Sequence, residues 1–168
     1  MAEWGIERLE AKHDRNSFGC GKPPLDTFLH SLVSQYEKRR LGRTYVATEP
    51  GQVRVAGYYT LAAGSFDVSC LPENVRKKLP KHPLPTVYLA RLAVDRAFRG
   101  RRLGETLLFH ALRSSLKLSE QLGAFAVDVR AIDDETRSFY EKYGFILLRD
   151  NPLHFYLPMQ TVEAMFKS

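Results

Sequence analysis

The segment of the chain best suited to chemistry combines arginines and glycines between a predicted strand and a predicted helix. It is Arg99–Gly104 (RGRRLG), and Arg96 lies shortly before it. A helix N-terminus presents unpaired backbone N–H groups and the positive end of the helix dipole. Small residues let a phosphate approach that backbone, and guanidinium groups add bidentate donors. The pattern indicates a pyrophosphate-binding loop, although a solvated basic loop that only caps a helix has the same composition.

A second segment, Arg137–Phe145 (RSFYEKYGF), carries aromatic residues at helical spacing. Aromatic residues at this spacing more often pack in a core. Taken alone, the segment therefore does not establish chemistry.

The pattern around these segments predicts an α/β chain, because strands alternate with helices. A helix from Leu25 has Phe28, Leu29, Leu32, Val33 and Tyr36 on one face and ends near Gly42. The predicted strands are Ile6–Leu9, Thr44–Thr48, Val53–Ala63 after a hairpin turn at Glu49–Gln52, a central Thr86–Val94, Ala124–Ala131, Phe145–Leu148 and His154–Leu157. The other predicted helices are Leu71–Leu79, one from Leu103 to Gly123, one from Asp133 to about Tyr143, and Thr161–Phe166.

Composition excludes several classes of protein. The 168 residues, 44% hydrophobic and 26% charged, suit a single compact domain over residues 1–168. No apolar run approaches the roughly 20 residues that span a bilayer, and the acidic start is not a secretory signal. Cys20 and Cys70 are expected to be reduced thiols in the cytoplasm, and the scattered histidines indicate no metal site. The formal charge of +6 favours an anionic partner.

Together, the run LARLAVDRAFRGRRLGETLL and the later FYEKYGF resemble the GNAT superfamily of N-acetyltransferases. The family signature is (Gln/Arg)-x-x-Gly-x-(Gly/Ala), which Arg99, Arg102 and Gly104 match here. Arg102 replaces the first glycine, and a residue with a side chain fits there if its φ stays negative. The resemblance covers roughly residues 44–158. It implies the GNAT fold, a central, mixed and mostly antiparallel sheet flanked by helices.

A narrower resemblance extends toward the N-terminus through Phe18–Gly21 (FGCG), Leu25–Leu29 (LDTFL) and Gly42–Ala47 (GRTYVA). These segments are similar to the acetyltransferase toxins of bacterial toxin–antitoxin pairs. That family implies acetyl-CoA as donor, acetylation of the α-amine of aminoacyl-tRNA with inhibition of translation, and no metal. It also implies a homodimer and a ribbon-helix-helix antitoxin.

The resemblance also implies roles for individual residues. Tyr140 takes the place of the general acid, and a backbone N–H of the Leu92–Val94 strand can meet the developing oxyanion if a bulge frees it. The residues expected to bind acetyl-CoA are Leu92, Ala93, Val94, Arg99, Gly100, Arg101, Arg102, Leu103, Gly104, Phe139 and Tyr143.

The acceptor is less constrained by the sequence. Three basic groups outside the loop are together suited to following a tRNA backbone, although each alone is typical of a solvated helix face. The first is Lys38, Arg39 and Arg40 with Arg43, the second is Arg76, Lys77 and Lys78 with Lys81, and the third is Arg137 with Lys142. Tyr58 and Tyr59 fit buried strand positions better than base stacking. Two alternatives remain: an acetyltransferase for a small-molecule or protein amine, and a non-catalytic binding module.

Overall fold

The computed structural model describes residues 4–167, which form seven strands and six α-helices. The strands are β1 (Gly5–Arg8), β2 (Arg43–Thr48), β3 (Gly57–Phe66), β4 (Leu84–Val94), β5 (Ala126–Arg130), β6 (Ile146–Leu147) and β7 (His154–Pro158). The helices are α1 (Pro23–Thr27), α2 (Val33–Lys38), α3 (Glu73–Arg76), α4 (Leu103–Ser119), α5 (Asp134–Lys142) and α6 (Met159–Phe166). A π turn over Phe28–Leu32 joins α1 to α2, and 3-10 turns cover Val68–Cys70 and Arg96–Phe98.

The seven strands form one sheet in the order β1-β2-β3-β4-β5-β7-β6. The apolar strand β4 occupies the central position, as its sequence predicts. It pairs in parallel with β5, whereas β1–β2, β2–β3, β5–β7 and β6–β7 pair antiparallel. The predicted mixed, mostly antiparallel sheet is therefore confirmed.

The described residues group into two compact units, each with its own apolar cluster. One unit comprises the chain up to Ala62 together with Ala90–Ala111, and the other comprises Ala63–Leu89 together with the chain from Leu112 onward. The buried cluster of the first unit includes Phe18, Phe28, Leu29, Val33, Val46, Tyr58 and Ala93. The cluster of the second includes Phe66, Leu71, Leu84, Ala126, Leu148 and Tyr156.

The helix predicted from Leu25 is interrupted by the π turn. Val33 N–H donates to the Phe28 carbonyl, so this turn holds one residue more than an α-helical turn. Phe28, Leu29 and Val33 are buried, but Leu32 is 39% exposed. The prediction that Leu32 lies on the buried face is wrong, because the extra residue rotates it away from the core.

The hairpin turn predicted at Glu49–Gln52 is present, with Gln52 N–H donating to the Glu49 carbonyl over 3.0 Å. The strand after it begins at Gly57 rather than at Val53. Val53 and Val55 instead bond to the backbone of Asp14, over 2.7 and 3.0 Å. The segment after the turn thus pairs with the N-terminal region before β3 begins.

Gly57 lets β3, β4 and the start of α4 approach closely. A Cβ at this position would lie 2.8 Å from Leu107 Cδ1 and 3.0 Å from both the Ala93 carbonyl oxygen and Leu103 Cδ2. A side chain would displace one of these neighbours. The glycine therefore helps to fix where α4 begins.

Candidate active site

The loop before α4 turns twice into the left-handed region of backbone space. Gly100 has a φ of +79° and Arg102 a φ of +60°. The condition of a negative φ at Arg102 is not met, and the arginine adopts the backbone conformation that glycine favours. The Arg102 carbonyl accepts both the backbone N–H (3.1 Å) and the hydroxyl (3.0 Å) of Thr106, which closes the first turn of α4.

The backbone amides of this loop are available to an anion. Within residues 4–167, no N–H of Gly100–Gly104 donates a hydrogen bond to a protein acceptor. A Cβ at Gly100 would meet nothing within 4 Å. The loop also lies at the N-terminus of the 17-residue α4, whose dipole favours negative charge. These features fit a pyrophosphate group.

Two of the loop arginines also have protein partners. Arg99 donates from Nη2 to the Cys20 carbonyl oxygen. Arg101 forms an ion pair with Glu49 over 3.2 Å, and its guanidinium lies 4.5 Å from the centre of the Trp4 ring. These contacts brace the loop, although the side chains of all four arginines, Arg96, Arg99, Arg101 and Arg102, are exposed.

Asp95 supports the base of the loop and is not among the residues that the sequence predicts for the site. Its carboxylate is 3% exposed. It accepts the N–H of Gly19 (2.9 Å) and of Ala97 (2.8 Å), and Arg54 lies 3.4 Å away. An aspartate before a turn signals the local cap to Ala97. The bond to Gly19 joins the Phe18–Gly21 segment to the loop and has no local signal.

The predicted thioester strand lies at the end of β4. Ala93 is 5% exposed and belongs to the apolar cluster of the first unit, while Leu92 and Val94 are partly buried. Asp95 N–H, directly after the strand, donates to the Ala56 carbonyl over 2.8 Å. Only the 3-10 turn then separates the strand from the phosphate loop.

Tyr140 belongs to the second unit and lies on α5. The helix begins where predicted, with the Asp133 carboxylate accepting the N–H of Thr136 over 2.9 Å. The Tyr140 ring is 4% exposed and meets Phe139 and Phe145 edge to face, each at 5.3 Å between centroids. Burial raises the pKa of Tyr140 above that of an ordinary phenol. Its hydroxyl therefore stays protonated through neutral pH.

The other predicted cofactor residues on α5 and at its end pack beside Tyr140. The rings of Phe139 and Tyr143 meet at 5.1 Å between centroids. Gly144, with a φ of +89°, follows the helix. These aromatic residues form one cluster, as their helical spacing predicts.

The first two basic groups differ in how much they bind to the protein itself. Lys38, Arg39 and Arg40 are exposed at the end of α2, whereas Arg43 donates to the Glu37 carbonyl and lies 3.3 Å from its carboxylate. In the second unit, Lys77 and Lys78 are exposed after α3 and Arg76 is partly buried.

Tyr58 and Tyr59 are fully buried, which confirms the prediction of strand aromatics. Cys20 and Cys70 are free thiols, and burial raises the pKa of Cys20 to about 11. Among residues 4–167, no group of three histidine, cysteine or acidic side chains is arranged to hold a metal ion. No helix in that range has both the length and the apolar character needed to cross a membrane.

Comparison with known proteins matches residues 40–147 to the acetyltransferase (GNAT) domain family. The tRNA-acetylating toxin of Mycobacterium tuberculosis is 35% identical over 158 residues, covering 94% of this chain and 93% of the toxin. The structure of AtaT complexed with acetyl-methionyl-tRNAfMet superposes with a TM-score of 0.90 at 31% identity, covering 98% of this chain and 99% of AtaT. A mutant AtaT bound to the C-terminus of the antitoxin AtaR and acetyl-CoA gives a TM-score of 0.85 at 27% identity, covering 99% of this chain and all of that one. The chain therefore belongs to the GNAT acetyltransferase family, together with the tRNA-acetylating toxins.

Proposed function

We propose that this protein transfers the acetyl group of acetyl-CoA to the α-amino group of an aminoacyl-tRNA and thereby inhibits translation. The observation that carries the proposal is the 35% identity to a tRNA-acetylating toxin along 94% of the chain. Two features support it: the loop before α4 has backbone amides suited to pyrophosphate, and Tyr140, which the family resemblance assigns as the acid, is buried and protonated.

Acetyl-CoA supplies the thioester, and this chain supplies groups to hold it. The amides of Gly100–Gly104 are suited to the pyrophosphate, with Arg99, Arg101 and Arg102 adding positive charge. The Leu92–Val94 strand is assigned the pantetheine arm and a backbone N–H for the oxyanion. Phe139 and Tyr143 are the remaining residues assigned to acetyl-CoA binding.

The reaction needs no strong general base to deprotonate the attacking amine. A free α-amine has a pKa of about 7.7–8.0, and the adjacent ester lowers it, so much of the amine is neutral near pH 7. The departing sulfur does need a proton. Tyr140 is assigned to donate it from its hydroxyl, which is protonated at neutral pH because burial raises its pKa.

Further parts of the proposal concern partners and location. The basic groups at Lys38–Arg40 and Arg76–Lys78, with Arg43, are assigned to the tRNA backbone. A ribbon-helix-helix antitoxin is proposed to neutralise the enzyme, supported by the antitoxin-bound structure of AtaT. We also propose that the enzyme is a single-domain homodimer that acts in the cytoplasm.

The test is acceptor dependence. Radiolabelled acetyl-CoA is incubated with the protein and either charged or uncharged tRNA, and the label in precipitated tRNA is counted. Label on charged tRNA alone is the expected result, and hydrolysis of the ester should release it as an N-acetyl amino acid. Label on free amines or on protein N-termini, with none on charged tRNA, would contradict the proposal.

A further inference from the structure

Arg91 lies on β4, directly before the Leu92–Val94 segment, and its guanidinium rests on aromatic rings. The carbon at the centre of the guanidinium is 3.7 Å from the centroid of the Phe28 ring and 5.1 Å from that of Tyr36. Phe28 is 1% exposed, so one face of the arginine is covered by the apolar cluster of the first unit. The arginine itself is only partly buried and keeps access to solvent.

Arg91 lacks the partner that comparable arginines have. Eight arginines contact an acceptor: Arg8, Arg15, Arg43, Arg54, Arg99, Arg101, Arg130 and Arg137. Among residues 4–167, Arg76 and Arg91 are the two partly buried arginines without a hydrogen bond or ion pair to the protein, and Arg91 alone of these is stacked on rings.

This arrangement has a cost that binding an anion would offset. Removing a cation from water without a partner is unfavourable, and stacking recovers only part of that loss. Stacking also leaves the edge of the guanidinium open, since its N–H donors lie in the plane of the group. That planar fork matches the oxygens of a phosphate.

We infer that Arg91 binds a phosphodiester group at the 3′ end of the acceptor nucleic acid, an inference that rests on the proposed function. Arg91 precedes by one residue the strand assigned to the thioester. The amine attacking there is joined through its ester to the terminal ribose, so the phosphodiester on that ribose is the acceptor's nearest anion. The fork of Arg91 thus holds the end of the acceptor beside the thioester.

The test is a double-mutant cycle that combines substitution of Arg91 with neutralisation of the last phosphodiester of the RNA. Two RNA minihelices with the same 3′ single strand are compared, one natural and one in which the last linkage is an uncharged methylphosphonate. Dissociation constants are measured by fluorescence anisotropy for the wild-type protein and for Arg91→Gln.

The wild-type protein should bind the natural RNA about 10- to 100-fold more tightly than the methylphosphonate RNA, as loss of a charge-assisted hydrogen bond to phosphate predicts. Arg91→Gln should bind both RNAs equally, with the wild-type affinity for the methylphosphonate RNA. The slope of log K against log salt for natural RNA should become shallower by about 0.7.

The matched control is Arg113→Gln, which removes an exposed arginine lying 4.7 Å over the ring of Phe166. It should keep the wild-type discrimination. Arg91→Lys keeps the charge without the planar fork and should retain only part of the discrimination, which gives a second variant if the glutamine form is poorly folded. Acetyl-CoA affinity, measured by calorimetry, should be unchanged in all three.

Two results would overturn the inference. One is an Arg91→Gln protein that still discriminates between the two RNAs, and the other is a loss of acetyl-CoA affinity, which would assign Arg91 to a phosphate of the donor. Failure of the wild-type protein to label charged tRNA is a separate outcome that overturns the proposed function as well. If the wild-type protein labels charged tRNA but Arg91→Gln still discriminates between the two RNAs, only the inference about Arg91 is overturned.

Discussion

Tyr140 owes its chemical character to its surroundings. The rings of Phe139 and Phe145 pack against it, and burial raises its pKa, so the phenol keeps its proton at neutral pH. Replacing Tyr140 with phenylalanine removes the hydroxyl and keeps the ring that packs. We expect Tyr140→Phe to lower kcat about 10²–10⁴-fold, as loss of a general acid does, with acetyl-CoA affinity nearly unchanged.

Turnover measured with charged tRNA and calorimetry with acetyl-CoA check this prediction. A matched control is Tyr143→Phe, which removes a neighbouring hydroxyl while keeping the ring that meets Phe139. Its kcat should fall far less. Normal turnover by Tyr140→Phe would remove Tyr140 from the role of acid.

Arg102 holds a left-handed backbone conformation that disfavours any residue with a Cβ by about 1–2 kcal/mol. Glycine avoids this cost but loses about 0.5–1 kcal/mol through the greater freedom of the unfolded chain. We expect Arg102→Gly to raise the free energy of unfolding by up to about 1 kcal/mol, measured by urea denaturation. Arg102→Ala keeps the Cβ and should be unchanged, so equal effects of the two substitutions would exclude backbone strain as the cause.

His154 is buried between two carboxylates. Its Nε2 lies 3.0 Å from Asp128 and its Nδ1 3.0 Å from Asp150, and Thr86 donates to Asp128 over 2.6 Å. Burial opposes the charge on His154, but the hydrogen bonds to Asp128 and Asp150 outweigh it, and the pKa of His154 is raised. The protonated ring can donate to both carboxylates at once.

This raised pKa makes stability depend on pH in one direction. Below the ordinary histidine pKa of about 6.5 the full contribution is present, and it is lost as pH rises through the higher pKa of the folded state. The free energy of unfolding should therefore fall with rising pH in that window. His154→Gln carries no titrating proton and should lack this component in urea unfolding at a series of pH values. The same pH profile in both proteins would contradict the assignment.

At the scale of elements, the packing of β3 against α4 depends on one missing side chain. Gly57 leaves room for Leu103, Leu107 and the Ala93 carbonyl. Gly57→Ala should lower the free energy of unfolding by about 1–3 kcal/mol, the usual cost of overpacking a core. It should also weaken acetyl-CoA binding, because the loop proposed to hold the pyrophosphate lies at the start of α4.

Thermal or urea unfolding and calorimetry measure the two effects of Gly57→Ala. The control is Gly123→Ala, since a Cβ at Gly123 would meet nothing within 4 Å. Its stability should stay within about 0.5 kcal/mol of the wild type, the usual range for surface substitutions. Equal stability of the two variants would show that the close approach at Gly57 does not matter.

The elements with strong local patterns were predictable from the sequence. The apolar run of β4 and the leucine spacing of α4 each indicate their structure, and Asp133 marks the start of α5. The π turn after Thr27 was not predictable, because packing against neighbouring elements decides whether a helical turn takes an extra residue.

The contact of Asp95 with Gly19 bridges distant segments, and no local pattern encodes it. Composition alone predicts that the loop before α4 binds pyrophosphate. The contacts of Arg99 with Cys20 and of Arg101 with Glu49 join distant segments and have no local signal.

At the scale of the whole molecule, the formal charge of +6 is spread over several surfaces. If Lys38, Arg39 and Arg40 contact tRNA phosphates, replacing all three with glutamine should make the slope of log K against log salt shallower by about 2. Anisotropy titrations with labelled tRNA at several salt concentrations measure the slope. A control that removes three charges at other exposed positions, Lys12, Lys117 and Arg149, should leave the slope nearly unchanged. Equal changes in both triple variants would indicate a diffuse effect of net charge.

The order of the strands has a consequence for how the protein is made. In the sheet, β7 lies between β5 and β6, although it follows both in the chain. While a ribosome is still synthesising β7, strand β5 lacks that antiparallel neighbour and β6 has no strand to pair with. Tyr140 lies on the helix between β5 and β6, so its half of the sheet cannot close until synthesis has passed Pro158. The helix that carries Tyr140 therefore lies beside a completed sheet only after β7 has been synthesised.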